Sequence, residues 1–121
     1  MRLIKAAEKR GIETVISDYL VDAPAKPFSS HPTMTDALDI EANIALAKKY
    51  DISGVITSGT DQALNTMAVV ADELGLPCYL TPVSAHTCTH KNEMIQAIHS
   101  QNIPRPASMH LTNTDQASDI V

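Results

Sequence analysis

The 121-residue chain carries 44% apolar and 19% charged residues with four aromatics, Tyr19, Phe28, Tyr50 and Tyr79, the makeup of one small domain with an aliphatic core. Nine basic against fourteen acidic residues leave a formal charge of -5, and no Lys or Arg lies between Lys49 and Lys91, so the chain offers no basic stripe to a nucleic-acid backbone. No apolar run approaches the ~20 residues that cross a bilayer, and the opening RLIKAAEKR is too charged for a secretory leader, so the expected setting is cytoplasmic, away from membranes.

Residues 2–10 place Leu3, Ala6, Ala7 and Arg10 on one helical face, and Gly11 supplies the left-handed residue that ends such a helix. Residues 12–17 (IETVIS) read as a buried parallel strand closing on Asp18. The prolines at 24, 27 and 32 predict a long irregular loop with a short edge strand, after which Asp39 caps a helix over 40–50. Ile40, Ile44, Leu46 and Ala47 are its inward residues, and Lys48 and Lys49 suit its negative end. A second strand over 53–57, a tight loop and a helix over 62–74 stopped by Gly75 follow. Beyond them come a short strand at 78–80, a loop through Cys88, and a helix over 90–101 that Pro104 and Pro106 keep from continuing. A strand near 107–111 and a helix start at Thr114 complete the reading.

Strands alternating with helices of this length predict an α/β layer with a mostly parallel sheet and right-handed crossovers. A doubly wound sheet normally opens on a strand, whereas this chain opens on a helix. The expectation is therefore a sheet without its first, central strand, prone to pair exposed edges with a second copy in a homodimer.

The loop Thr57-Ser58-Gly59-Thr60-Asp61 joins a predicted strand end to a predicted helix start, where open α/β sheets bind ligands. It reads as one wall of a substrate pocket, or more simply as a helix cap with a turn glycine. Asp18 sits where dinucleotide folds keep a ribose-binding acid, but without any G-x-G-x-x-G the simpler role is loop capping. His86, Cys88 and His90 would face one way in an extended segment, yet their spacing fits no established zinc pattern, and a polar loop is the plainer reading. Cys78 and Cys88 are not a C-x-x-C pair and read as free thiols. Lys91, at the start of a helix where a cation gains nothing from the dipole, is either a solvated surface lysine or one side of a phosphate site.

Three strings together, DYLVDAPA with LDIEANIALAKKYDI, GVITSGTDQALNTMAVVADELGLP (54–77) and HKNEMIQAIHSQNIPRP (90–106), resemble the amino-terminal part of ATP-grasp enzymes, in the carboxylate-amine ligase and carbamoyl-phosphate-synthase-like branch. The resemblance covers residues 1–106. It implies a Rossmann-like, three-layer preATP-grasp domain over 1–82, lacking its first strand, and a linker helix with the beginning of the ATP-grasp domain over 83–121. It also implies an ATP- and Mg²⁺-dependent ligase that activates a small-molecule carboxylate as an acylphosphate for attack by an amine or similar nucleophile. By that resemblance Lys91 falls on the family cation that reaches the nucleotide phosphates, and Ser58, Gly59, Thr60 and Asp61 fall on the substrate-side loop. His90 departs from the commonly small or acidic neighbour of that cation. The family's second nucleotide lysine and its Mg²⁺ carboxylates have no counterpart here, so this stretch alone is expected not to catalyse. The competing reading is a non-enzymatic α/β module that binds a small anionic ligand or a partner.

Overall fold

In the computed structural model, which describes residues 2–108, the elements run α1 (Arg2–Glu8), β1 (Val15–Ile16), β2 (His31–Pro32), α2 (Ile40–Lys49), α3 (Ala63–Glu73), α4 (Pro82–Thr89) and α5 (Lys91–Ser100), with one 3-10 turn at Lys26–Phe28. Among the described residues the class is mixed α/β, with five helices and a two-stranded parallel sheet.

Four helices end in the same way. After α1, α2, α3 and α5 the chain enters the left-handed region at Gly11, Asp51, Gly75 and Asn102. In each case the next residue's N-H reaches back to a carbonyl five residues earlier: Ile12 to Ala7, Ile52 to Ala47, Leu76 to Ala71 and Ile103 to Ile98, at 3.0, 3.2, 2.8 and 3.2 Å. These are Schellman closures, in which an apolar side chain follows the left-handed residue and orphan carbonyls are satisfied. At the other end of α2, Asp39 accepts from the Ala42 N-H at 3.0 Å, the cap its sequence position implied.

The core is a helical layer centred on α3, which packs against both α2 and α4, with α5 against α4. Small side chains make the close approach possible: Ala47 of α2, Ala63, Met67, Ala68, Val70 and Ala71 of α3, and Ala85 of α4 are all buried. Lys48 pairs with Glu73 at 3.4 Å across α2 and α3, an exposed tie worth at most ~1 kcal/mol. On α1 the buried residue is Ile4, while Leu3 is 44% exposed, so the inner face lies one position round from the expected Leu3, Ala6, Ala7 and Arg10 stripe.

β1 pairs in parallel with β2, Val15 opposite His31 and Ile16 opposite Pro32, which is the short edge strand expected within the proline-rich loop. Polar side chains extend this brief ladder: Thr33 Oγ1 donates to Ile16 O at 2.6 Å and Ser17 Oγ donates to Thr35 O at 3.1 Å. Behind it, Lys26 is buried, and its ammonium donates to the Leu20 carbonyl and to the Met34 sulfur, closing the loop on itself.

Three sequence expectations are corrected. Residues 53–57 and 78–80 are not strands among the described residues: they make no backbone ladder with any described segment. A strand exists only by pairing, and neither apolar run has a neighbour at its edge. The expected loop through Cys88 is instead α4, built on a capping box in which Thr81 and Ser84 bond reciprocally, with Pro82 at the first helical position. Its octet PVSAHTCT has no apolar period, which hid the helix from a reading by hydrophobic spacing. The expected strand at 107–111 lies largely, and the helix from Thr114 wholly, outside the described residues.

Candidate functional site

The loop before α3 is open at every position. Ser58, Gly59, Thr60 and Asp61 are exposed, and Gly59 takes a φ of +84° with no atom near the position a Cβ would occupy. A side chain at residue 59 would therefore be disfavoured by the backbone alone. The helix they introduce begins at Gln62, whose side chain makes no capping bond; Asp61 contributes its backbone carbonyl, which accepts from Leu64 N-H at 3.0 Å. Neither Thr60 nor Asp61 is thus the side-chain cap of the plainer sequence reading. The positive end of α3, with no acidic residue in its first turn, faces this loop.

Lys91 is the first residue of α5 and exposed, and it forms no ion pair among the described residues. Its helix start is shaped by histidines. His90 is both the last cap of α4 and the first of α5, its ring stacked on His86 at 3.8 Å between centroids, with Nδ1 2.9 Å from the His86 carbonyl. His86 Nε2 in turn lies 3.1 Å from a Glu93 carboxylate oxygen. Because 82–89 is helical, Cys88 is turned away from the His86 and His90 side, and the one-sided triplet of an extended segment is not formed. Among the described residues no group of three His, Cys, Asp or Glu side chains could hold a metal ion. Both cysteines are free, Cys78 half-buried and Cys88 exposed.

Asp18 accepts from Leu20 N-H at 2.9 Å, a local turn contact that accounts for it as a loop cap. A surface groove of about 410 Å³, lined by His99, Asn102, Ile103, Arg105, Pro106 and Ala107, lies at the far end of α5 from Lys91. Two features escaped the sequence reading. Lys26 is buried without a carboxylate partner among the described residues, and His31 is held between Glu13, 3.4 Å from its Nε2, and the ring of Tyr50, 4.7 Å between centroids. The first depends on how the proline-rich loop folds back on itself, the second on contacts eighteen and nineteen residues away, and neither is announced by local spacing.

No family profile, no curated protein and no solved structure matches the chain.

Proposed function

We propose that this chain is the amino-terminal, Rossmann-like portion of an ATP-grasp ligase, contributing phosphate and carboxylate contacts to an active site in which a carboxylate is activated as an acylphosphate. The observation that carries the reading is the open Ser58–Gly59–Thr60–Asp61 loop ahead of an α3 start with no side-chain cap. Orphan N-H groups at such a helix start favour an oxyanion. Lys91, exposed and without an ion pair among the described residues, supports it as a cation that an ATP phosphate could recruit. Mg²⁺ fits nothing described here, since the carboxylates do not converge, and no metal step is assigned to these residues.

Chemically, the loop N-H groups would orient an anionic oxygen and Lys91 would neutralise phosphate charge. Positioning and charge stabilisation dominate phosphoryl transfer, and these residues supply part of both. The test is an amide-resolved NMR titration of the 121-residue chain with ATP. Shifts that concentrate at 58–61 and 91, and that fall away in Lys91→Ala, are expected. Saturating ATP that moves neither segment overturns the reading.

The second reading, a non-enzymatic interaction module, is favoured by a different observation: Ile56, Tyr79 and Val83 are 70%, 76% and 77% exposed, while the buried apolar set consists mainly of alanines. An ATP titration that leaves the spectrum unchanged favours this alternative.

A further inference from the structure

Lys26 and Met34 form a pair that the proposed function leaves unused. The Lys26 ammonium is drawn into the proline-rich loop, the residue being only 8% exposed, and it donates to the Leu20 carbonyl and, at 3.0 Å, to the Met34 sulfur. A buried charge is costly unless it is well hydrogen-bonded, and a thioether is a weak acceptor. One of the two contacts that hold this charge is therefore a poor one. Met34 itself is 57% exposed, within reach of a small solute, whereas Met67 is enclosed in the core and Met94 is half-buried.

A hydroperoxide oxidant converts the poor contact into a strong one. The sulfur lone pair attacks one oxygen of hydrogen peroxide, the S–O bond forms as the O–O bond breaks, and the departing hydroxide takes the proton of the transferred oxygen and leaves as water. Sulfur is oxidised by two electrons and the peroxide is reduced. The sulfoxide oxygen then faces an ammonium, and a hydrogen bond to a charged donor is shorter and stronger than one to a neutral donor. Backbone on either side of Met34 is tied down: Thr33 N-H and Oγ1 donate to the Ile16 carbonyl at 3.1 and 2.6 Å, and the Thr35 carbonyl accepts from Ser17 Oγ at 3.1 Å. The added oxygen is taken up by the side chain, whose three rotatable bonds let the sulfur withdraw while the backbone stays.

We propose that Met34 is an oxidative modification site, whose sulfoxide clamps the Lys26 ammonium and tightens the loop from Leu20 to Met34. Oxidation of a methionine in a packed core is disruptive, because an apolar group becomes polar. An exposed methionine beside a buried donor reverses that sign. Methionine sulfoxide is reduced enzymatically to the thioether, so the tightening is reversible. The inference does not depend on the ligase reading.

The test is amide hydrogen exchange of the full chain before and after mild hydrogen peroxide, read by peptide mass, which also reports the methionine that has gained an oxygen. The bonded amides of the loop, Lys26 to Ala23 O at 3.0 Å and Phe28 to Ala25 O and Ser29 to Lys26 O at 3.1 Å, exchange when the loop opens. Met34 is expected to oxidise ahead of Met94, and these amides to slow about threefold or more while those of α3 are unchanged. Met34→Gln, which ends an unbranched side chain in a carbonyl oxygen, slows them without oxidant, and Met34→Leu abolishes the peroxide response. In Lys26→Met, which keeps the stem and loses the donors, oxidation no longer slows the loop. Should Lys26→Met lose its helical circular dichroism, the two Met34 variants decide the matter alone. A Met34 that stays reduced while Met94 is oxidised overturns the proposal. So does loop exchange that is unchanged or faster in the sulfoxide or in Met34→Gln, or a slowing that persists in folded Lys26→Met.

Discussion

Among the described residues Val70 is the largest side chain that is fully buried, and it lies on α3, the helix that packs against both α2 and α4. Val70→Ala removes two carbon groups. Their lost transfer energy is ~1.6 kcal/mol at ~0.8 kcal/mol each. A residual cavity of roughly 50 Å³ adds about 1.2 kcal/mol, since the methyls of the nearby alanines have no rotamers with which to fill it. The better helix propensity of alanine offsets about half a kcal/mol. The net destabilisation is ~2 kcal/mol, which in a chain of this size lowers the melting temperature by roughly 6–12 °C. Urea unfolding followed by circular dichroism at 222 nm, with Val69→Ala as the half-buried neighbour, measures it. Val69→Ala should cost less than half as much. A Val70→Ala loss below about 0.5 kcal/mol, the range of a surface substitution, would refute the placement of the core on α3.

Asp39→Ala deletes the side-chain acceptor of the Ala42 N-H and costs about 1 kcal/mol, whereas Asp39→Asn, which keeps an acceptor, costs a few tenths; chemical denaturation of both separates capping from charge. Asp51→Gly stabilises the chain by roughly 0.5–1 kcal/mol, because a φ of +46° is strained for aspartate and free for glycine, and a lowered midpoint would contradict the Schellman closure of α2. Thr81→Ala breaks the capping box and loosens α4, seen as faster amide exchange at 83–85 with α2 unaffected.

Helix ends were the most legible part of this fold. Gly11 and Gly75 each mark a boundary because the left-handed conformation is a local property that glycine reveals, and Pro104 and Pro106 mark the end of α5. The inner stripe of α3 was largely readable from its spacing: of Ala63, Met67, Val70, Ala71 and Leu74, the first four are buried and Leu74 is half-buried, since helical periodicity follows from a single element. Strands were not. Residues 12–17 and 53–57 have the same β-branched character, yet only the first found a partner, and pairing is decided by another part of the chain. α4 was overlooked because its signal was the Thr-Pro-x-Ser start and not an apolar stripe. Of the candidate site, the exposure of 58–61 and the position of Lys91 at a helix start could be read from loop and cap chemistry. The stacking of His90 on His86 and the missing side-chain cap of α3 could not, because both depend on where the neighbouring helix actually begins.

If the proposed function holds, the loop at 58–61 and Lys91 serve one phosphate-bearing ligand. Paramagnetic broadening of amide signals by manganese-loaded ATP tests this directly, because the metal rides on the phosphates and reports every amide near them. Gly59, Thr60, Asp61 and Lys91 are expected to broaden together, with ATP alone restoring them by competition. Broadening confined to one of the two segments, or spread over the acidic surface as it is with manganese alone, would contradict it.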